Sequence, residues 1–149
     1  ERNYGSFTYE ETIRTFYLFL GKEVEKNKIS TKLHSSLDIF PTILDLTGIN
    51  NKNKNVGNSL WPAVIGDTEN EDEYTFSETG ALHGPFPSPE RSNVFCIKNK
   101  KYKLIFFKDS NIWELFDLEA DSKEKNNLIN ENLECVEELK EKLSEWMSR

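Results

Sequence analysis

Sulfur and imidazole are scarce in this chain: two cysteines, two histidines and one methionine among 149 residues. Cys96 and Cys135 lie far apart and neither belongs to a C-x-x-C pair. His34 and His83 have no second histidine or cysteine at ligand spacing, so the pattern of a self-contained zinc site is missing. Both cysteines read as ordinary thiols, with a disulfide as the alternative. Positive charge is also short, 19 Lys and Arg against 26 Asp and Glu for a net charge of -7. That excludes the basic face a nucleic-acid binder needs. No apolar run approaches the roughly 20 residues of a membrane span, and no signal-peptide pattern is visible. A G-x-S-x-G elbow, a phosphate-cradling glycine loop and an H-E-x-x-H helix are all lacking. Because the chain begins at Glu1 rather than Met, a preceding segment is expected.

Apolar material is not lacking. Hydrophobic residues make up 36% of the chain and include ten Phe, five Tyr and three Trp, enough for a core. The stretch from His34 to Ile49 reads as one short helix, with Ser36 or Asp38 as its cap and Pro41 near its first turn. Gly48 supplies the left-handed stop. Ile39, Ile43 and Leu46, flanked by Phe40 and Leu44, give it a broad face suited to a core. Ile13 to Leu20 is nearly unbroken apolar and aromatic sequence ending at Gly21, the look of a strand buried on both faces. The acidic run Asp67 to Glu73 reads as an exposed linker. Tyr74 to Glu78 alternates like a strand. Val94 to Lys98, Tyr102 to Lys108 and Ile112 to Leu118 are three further strand patterns joined by hairpin-length turns. Val136, Leu139, Leu143, Trp146 and Met147 recur at helical steps and predict a closing amphipathic helix.

Residues that could carry chemistry are few. The acid pairs Glu10-Glu11, Asp72-Glu73 and Glu137-Glu138 are adjacent in sequence, which points their side chains apart and favours a solvated surface. His34 reads as a packing or capping residue. His83 lies in a Pro-rich loop, His83-Gly84-Pro85-Phe86-Pro87, with Arg91 nearby, and loops on rigid scaffolds often carry binding residues. An exposed loop histidine without a role is the plainer alternative.

Six segments taken in order carry a resemblance. They are Tyr9-Glu10-Glu11-Thr12-Ile13-Arg14, Asp38 to Ile49, Gly57-Asn58-Ser59-Leu60, Phe76-Ser77-Glu78, Lys101 to Ile105, and Trp113 to Asp121. The last continues into Glu124-Lys125-Asn126-Asn127-Leu128. Together they resemble the C-terminal part of sulfatases of the alkaline phosphatase superfamily. The resemblance implies an α/β (α+β) fold, with a buried strand and helix of the main sheet followed by a small antiparallel sheet covered by a C-terminal helix. It places residues 1–73 at the end of the main α/β domain and 74–149 in a C-terminal subdomain.

The resemblance also implies what lies elsewhere. Sulfatases carry a formylglycine nucleophile, made from a C/S-x-P-x-R motif, and most ligands of a divalent cation, expected to be calcium, in a preceding part. Neither Cys96 nor Cys135 is followed by the required Pro and Arg, so no catalytic residue and no metal ligand is assigned here. Family members often place a His or Lys before a Gly, ahead of the Y-E-E segment and against the sulfate. The matching residue is Tyr4, followed by Gly5, which can donate a hydrogen bond but brings no positive charge. The family's R-V-P is Arg14-Thr15-Phe16 here. Tyr4, His83 and Arg91 are the substrate-binding candidates, since a cationic His or Arg suits a small sulfated or phosphorylated ligand.

Two functions follow. In one, the chain is the C-terminal segment of a sulfate-ester hydrolase, partnered by an N-terminal sulfatase domain and inactive alone. In the other, it is a stand-alone remnant that self-associates as a binding or scaffold module. Neither involves nucleic acid or membrane.

Overall fold

The computed structural model describes residues 7–50, 57–67, 73–80, 92–131 and 133–149. It divides into two compact units, one made of Glu1–Thr15 with Tyr74–Arg149 and the other of Phe16–Glu73.

The first unit is built on a four-stranded antiparallel meander of β1 (Thr75–Thr79), β2 (Val94–Lys98), β3 (Tyr102–Phe107) and β4 (Ile112–Asp117), hydrogen-bonded in sequence order. The tight turns follow from their residues. Asn99 Oδ1 accepts the N–H groups of Lys101 and Tyr102 at 2.9 and 2.6 Å, an Asx turn that starts β3. Asn111 takes the left-handed conformation that Asn tolerates, with φ 53°. Alternation then sorts side chains onto two faces. Phe76, Ile97, Leu104 and Leu115 are cross-strand partners in one row, and Phe95 lies on the same face. Helix α4 (Cys135–Met147) covers that face with Val136, Leu139 and Leu143. Trp146 stacks on Phe76 with ring centres 5.3 Å apart. The opposite face carries Val94, Cys96, Ile105 and Phe116, packed under Phe7, Tyr9 and Ile13 of the N-terminal segment, which forms the single turn α1 (Glu10–Ile13). The outer edge of β4 is closed by residues 127–128: Asn127 Oδ1 accepts from Leu115 N at 3.0 Å, and Leu128 N donates to Leu115 O at 2.8 Å.

The second unit contains a 3-10 turn (Ser36–Asp38), α2 (Ile39–Thr47) and α3 (Trp61–Val64). The expected helix is present with three changes. Its first turn is 3-10 rather than α, and its cap is Ser35. Ser35 accepts from Leu37 N while Asp38 Oδ2 accepts from Ser35 N at 2.8 Å, a capping box. Its end is as read, with Gly48 at φ 67°. Its apolar face is the third change. Ile39, Phe40, Ile43 and Leu46 are exposed, whereas Pro41 and Thr42 are buried.

The expected strand from Ile13 to Leu20 does not form. Ile13 closes α1, and residues 14–20 have no ladder partner among the described residues. A strand exists only through pairing, so this apolar run forms none without a partner. Phe16, Leu18 and Leu20 are exposed, Tyr17 and Phe19 half-buried.

Asp38 and Thr42 organise this unit. Asp38, 1% exposed, accepts from Asn58 N through Oδ1 at 2.8 Å. Thr42 Oγ1 donates to Asp38 O at 2.6 Å and accepts from Leu60 N at 2.8 Å. Residues 58–60 are thereby tied to the start of α2, and Leu60 is buried.

Candidate functional site

The described residues gather charge at one place, on the sheet face under α1. In the row Thr75, Lys98, Lys103 and Phe116, pleating directs Lys98 and Lys103 toward the N-terminal segment. The Lys103 side chain is wholly buried. Its Nζ lies 2.8 Å from Glu124 Oε1 and 3.2 Å from Glu10 Oε1, and Lys98 Nζ lies 2.8 Å from Glu10 Oε2. Glu124 also accepts the backbone N–H of Glu10 at 2.5 Å through its other oxygen. It does so from a left-handed backbone, φ 52°, unusual for a non-glycine residue and held by the contacts it makes. One row along, Tyr9 donates its hydroxyl to Glu114 at 2.7 Å.

The electrostatics follow from the geometry. Burial opposes ionisation of Glu10, but the hydrogen bond from Lys98 and the charges of Lys103 and Lys98 outweigh it and hold its carboxyl below its ordinary range. Burial pushes the Tyr9 phenol up, and its bond to the Glu114 carboxylate pushes it the same way. The Cys96 thiol is raised by burial, with Lys103 and the Thr8 and Ser77 hydroxyls pulling against it. Cys96 is therefore a protonated thiol, and both cysteines are free. No group of three or more His, Cys, Asp or Glu that could hold a metal occurs among the described residues. The lysine–carboxylate cluster fastens a segment to a sheet.

Tyr4, His83 and Arg91 all lie outside the described residues. The cluster itself escapes sequence reasoning. Glu10 was expected on a solvated surface beside Glu11, yet its side chain is 10% exposed, because partners 88 to 114 residues away enclose it. One signal was available. Lys103 stands inside the run Tyr102-Lys103-Leu104-Ile105, where alternation places it on a sheet face with Ile105.

Comparison with known proteins places this geometry. The profile of the family described as "N-sulphoglucosamine sulphohydrolase, C-terminal" matches residues 4–149. An N-acetylglucosamine-6-O-sulfatase of Bacteroides thetaiotaomicron is 27% identical over 128 residues, 83% of this chain and 22% of that protein. Arylsulfatase K of Bos taurus is 27% identical over 148 residues, 94% of this chain and 26% of that protein. A crystal structure of a Bacteroides thetaiotaomicron protein described as a sulfatase superposes with a TM-score of 0.79. That match covers 95% of this chain and 31% of the other at 24% identity, a likeness of fold. This chain thus spans about a quarter of the length of the curated relatives it matches.

Proposed function

The chain belongs to the family of N-sulphoglucosamine sulphohydrolase C-terminal regions, and from that premise we propose that it is the C-terminal segment of a hydrolase cleaving sulfate esters, with the nucleophile and metal-binding part preceding it. The fold is that of the C-terminal part of alkaline-phosphatase-like sulfatases. The observation that carries the proposal is the uncovered apolar surface of Phe16–Glu73. Phe16 and Leu20 are more than four-fifths exposed, and Ile39, Phe40, Ile43 and Leu46 line an open helix face. Such a surface marks an interaction site. A preceding α/β portion, supplying the strands that residues 14–20 lack, would cover it. On this reading residues 1–73 close the main domain and 74–149 form the subdomain.

On this reading the formylglycine and the divalent cation belong to that preceding portion. Tyr4, His83 and Arg91 are the proposed contacts to a sulfated substrate. A sulfated amino sugar is the class of choice, because the N-acetylglucosamine-6-O-sulfatase is among the relatives.

The isolated chain, incubated with an aryl sulfate and a divalent cation, is expected to give no turnover; metal-dependent release of sulfate overturns the reading. The coding sequence upstream of Glu1 decides it independently, through the presence of a C/S-x-P-x-R motif. The same exposed residues favour a second reading, a non-catalytic remnant whose copies cover one another as an oligomeric scaffold. A start codon directly upstream and a concentration-dependent oligomer in sedimentation would select it.

A further inference from the structure

The charge cluster under α1 is an expensive way to attach seven residues to a sheet. Apolar contacts from Phe7, Tyr9 and Ile13 already cover Val94, Cys96, Ile105 and Phe116. A wholly buried lysine adds a desolvation cost that an apolar residue of similar volume would avoid. Buried ion clusters of this kind are best understood where they set a register or a switch. We propose that Glu10, Lys103 and Glu124 form an electrostatic latch that holds residues 7–13 on the sheet and releases them on acidification, while the sheet itself stays folded.

Among the described residues, the groups facing the latch come from four elements, with the protonated thiol of Cys96 beside them on β2. From β2 comes Lys98, from β3 Lys103, from β4 Glu114 through Tyr9, and from the turn after β4 Glu124. Glu10 is the moving part, bound by both lysines through its side chain and by Glu124 through its backbone N–H. Protonating Glu10 removes the charge that Lys98 and Lys103 share, and leaves Lys103 paired with Glu124 alone. Because the Glu10 carboxyl is held below its ordinary 4.5, its contribution is complete above that pH and is lost as pH falls through the lower, folded value. The strands need none of these groups, since their ladders and the α4 contacts lie elsewhere.

Hydrogen exchange on the full chain, corrected for intrinsic rates, tests the latch. At pH 7 the amides of Glu10, Ile13 and Arg14, bonded to Glu124, Tyr9 and Glu10, are expected to be protected. As pH falls below 4.5 and through the lower folded value, they should progressively lose protection, about ten- to hundredfold in all, the scale of one charge-assisted hydrogen bond, while Ile97 and Leu104 stay protected. Glu10→Gln should bring the same loss at pH 7 and flatten the pH response. At pH 8 it should also speed alkylation of Cys96, which is 1% exposed in the docked state. Lys103→Met leaves Glu10 and Glu124 without their shared cation and should release the segment. The triple variant K103M/E10Q/E124Q removes all three charges and should dock it again without a pH response. If Lys103→Met also strips protection from β2 and β3, Glu10→Gln decides. The latch is overturned if residues 10–14 exchange in step with the sheet at every pH, or if Glu10→Gln leaves their protection and the Cys96 rate unchanged.

Discussion

Leu104 and Ile43 are both aliphatic residues in regular elements, each on the side of its element where apolar residues recur. Leu104, on β3, is wholly buried between Leu115, Ile97 and the residues of α4. Ile43, on α2, is 50% exposed, as are its neighbours on the same helix face to similar degrees. Patterning reports which side of an element is suited to burial. Whether anything covers that side depends on the rest of the chain. In the sheet unit the cover is internal, with α4 on one face and residues 7–13 on the other. Among the described residues of Phe16–Glu73 the buried set is Asp38, Pro41, Thr42 and Leu60, tied together by the polar bonds of Asp38 and Thr42.

Truncating the two aliphatics separates these cases. Leu104→Ala is expected to cost about 2–5 kcal/mol, from lost transfer energy and a cavity that a two-sided sheet cannot close. Ile43→Ala should change stability by about 0.5 kcal/mol or less, because the removed methyls already face water. Urea denaturation of each variant checks both. An equal loss in the two would mean that α2 is covered in solution and would dissolve the contrast. The same pair tests the proposed function: in a longer sulfatase the α2 face would be covered, and Ile43→Ala would then cost as much as a core change.

A smaller effect is expected at Gly57. A Cβ there would lie 2.2 Å from Leu37 O and 2.7 Å from Asp38 N, so Gly57→Ala must push backbone against backbone. Overpacking of that kind costs about 1–3 kcal/mol. The damage should stay local. Asn58 N would leave Asp38 Oδ1 and Leu60 N would leave Thr42 Oγ1, while the sheet amides keep their protection. Loss of protection across both units would show that they unfold as one.

Much of this was legible beforehand, for reasons the two regions make plain. The meander was visible because alternation, an Asn turn and hairpin spacing are local signals, and β2, β3 and β4 form within a residue of their expected ends. The closing helix was visible through its stripe of Val136, Leu139 and Leu143. Residues 13–20 misled because an apolar run fits a paired strand and an unpaired one equally, and pairing is not a local property. The charge cluster was invisible for the same reason. Glu10 reads as a surface acid until Lys103 and Glu124 are brought beside it from over ninety residues away. The family resemblance compensated for what periodicity lacked, since an ordered series of weak motifs records tertiary neighbours that no single segment reveals. It placed its binding candidates on Tyr4, His83 and Arg91, outside the described residues.

A change at the end of α2 tests the other half of the comparison, that α2 depends on its ends. Gly48 sits at φ 67° and donates its N–H to the carbonyl of Asp45 at 3.1 Å, with Ile49 N bonding Leu44 O at 3.0 Å. Nothing lies within 4 Å of where its Cβ would be, so Gly48→Ala meets no obstruction and the whole effect is conformational. Placing an alanine in the left-handed region costs about 1 kcal/mol. Asparagine tolerates that region better, so Gly48→Asn should recover a good part of the loss. In a helix buried on one face, that cost would be small beside the packing energy and would barely alter exchange at its centre. In α2, where the capping box and the glycine stop hold a nine-residue helix with an open apolar face, the same cost should reach the middle of the helix. Exchange at Ile43 and Leu44 should then rise about fivefold in Gly48→Ala and less in Gly48→Asn, matching a loss of about 1 kcal/mol. Unchanged exchange at those amides would mean that burial, not capping, secures α2.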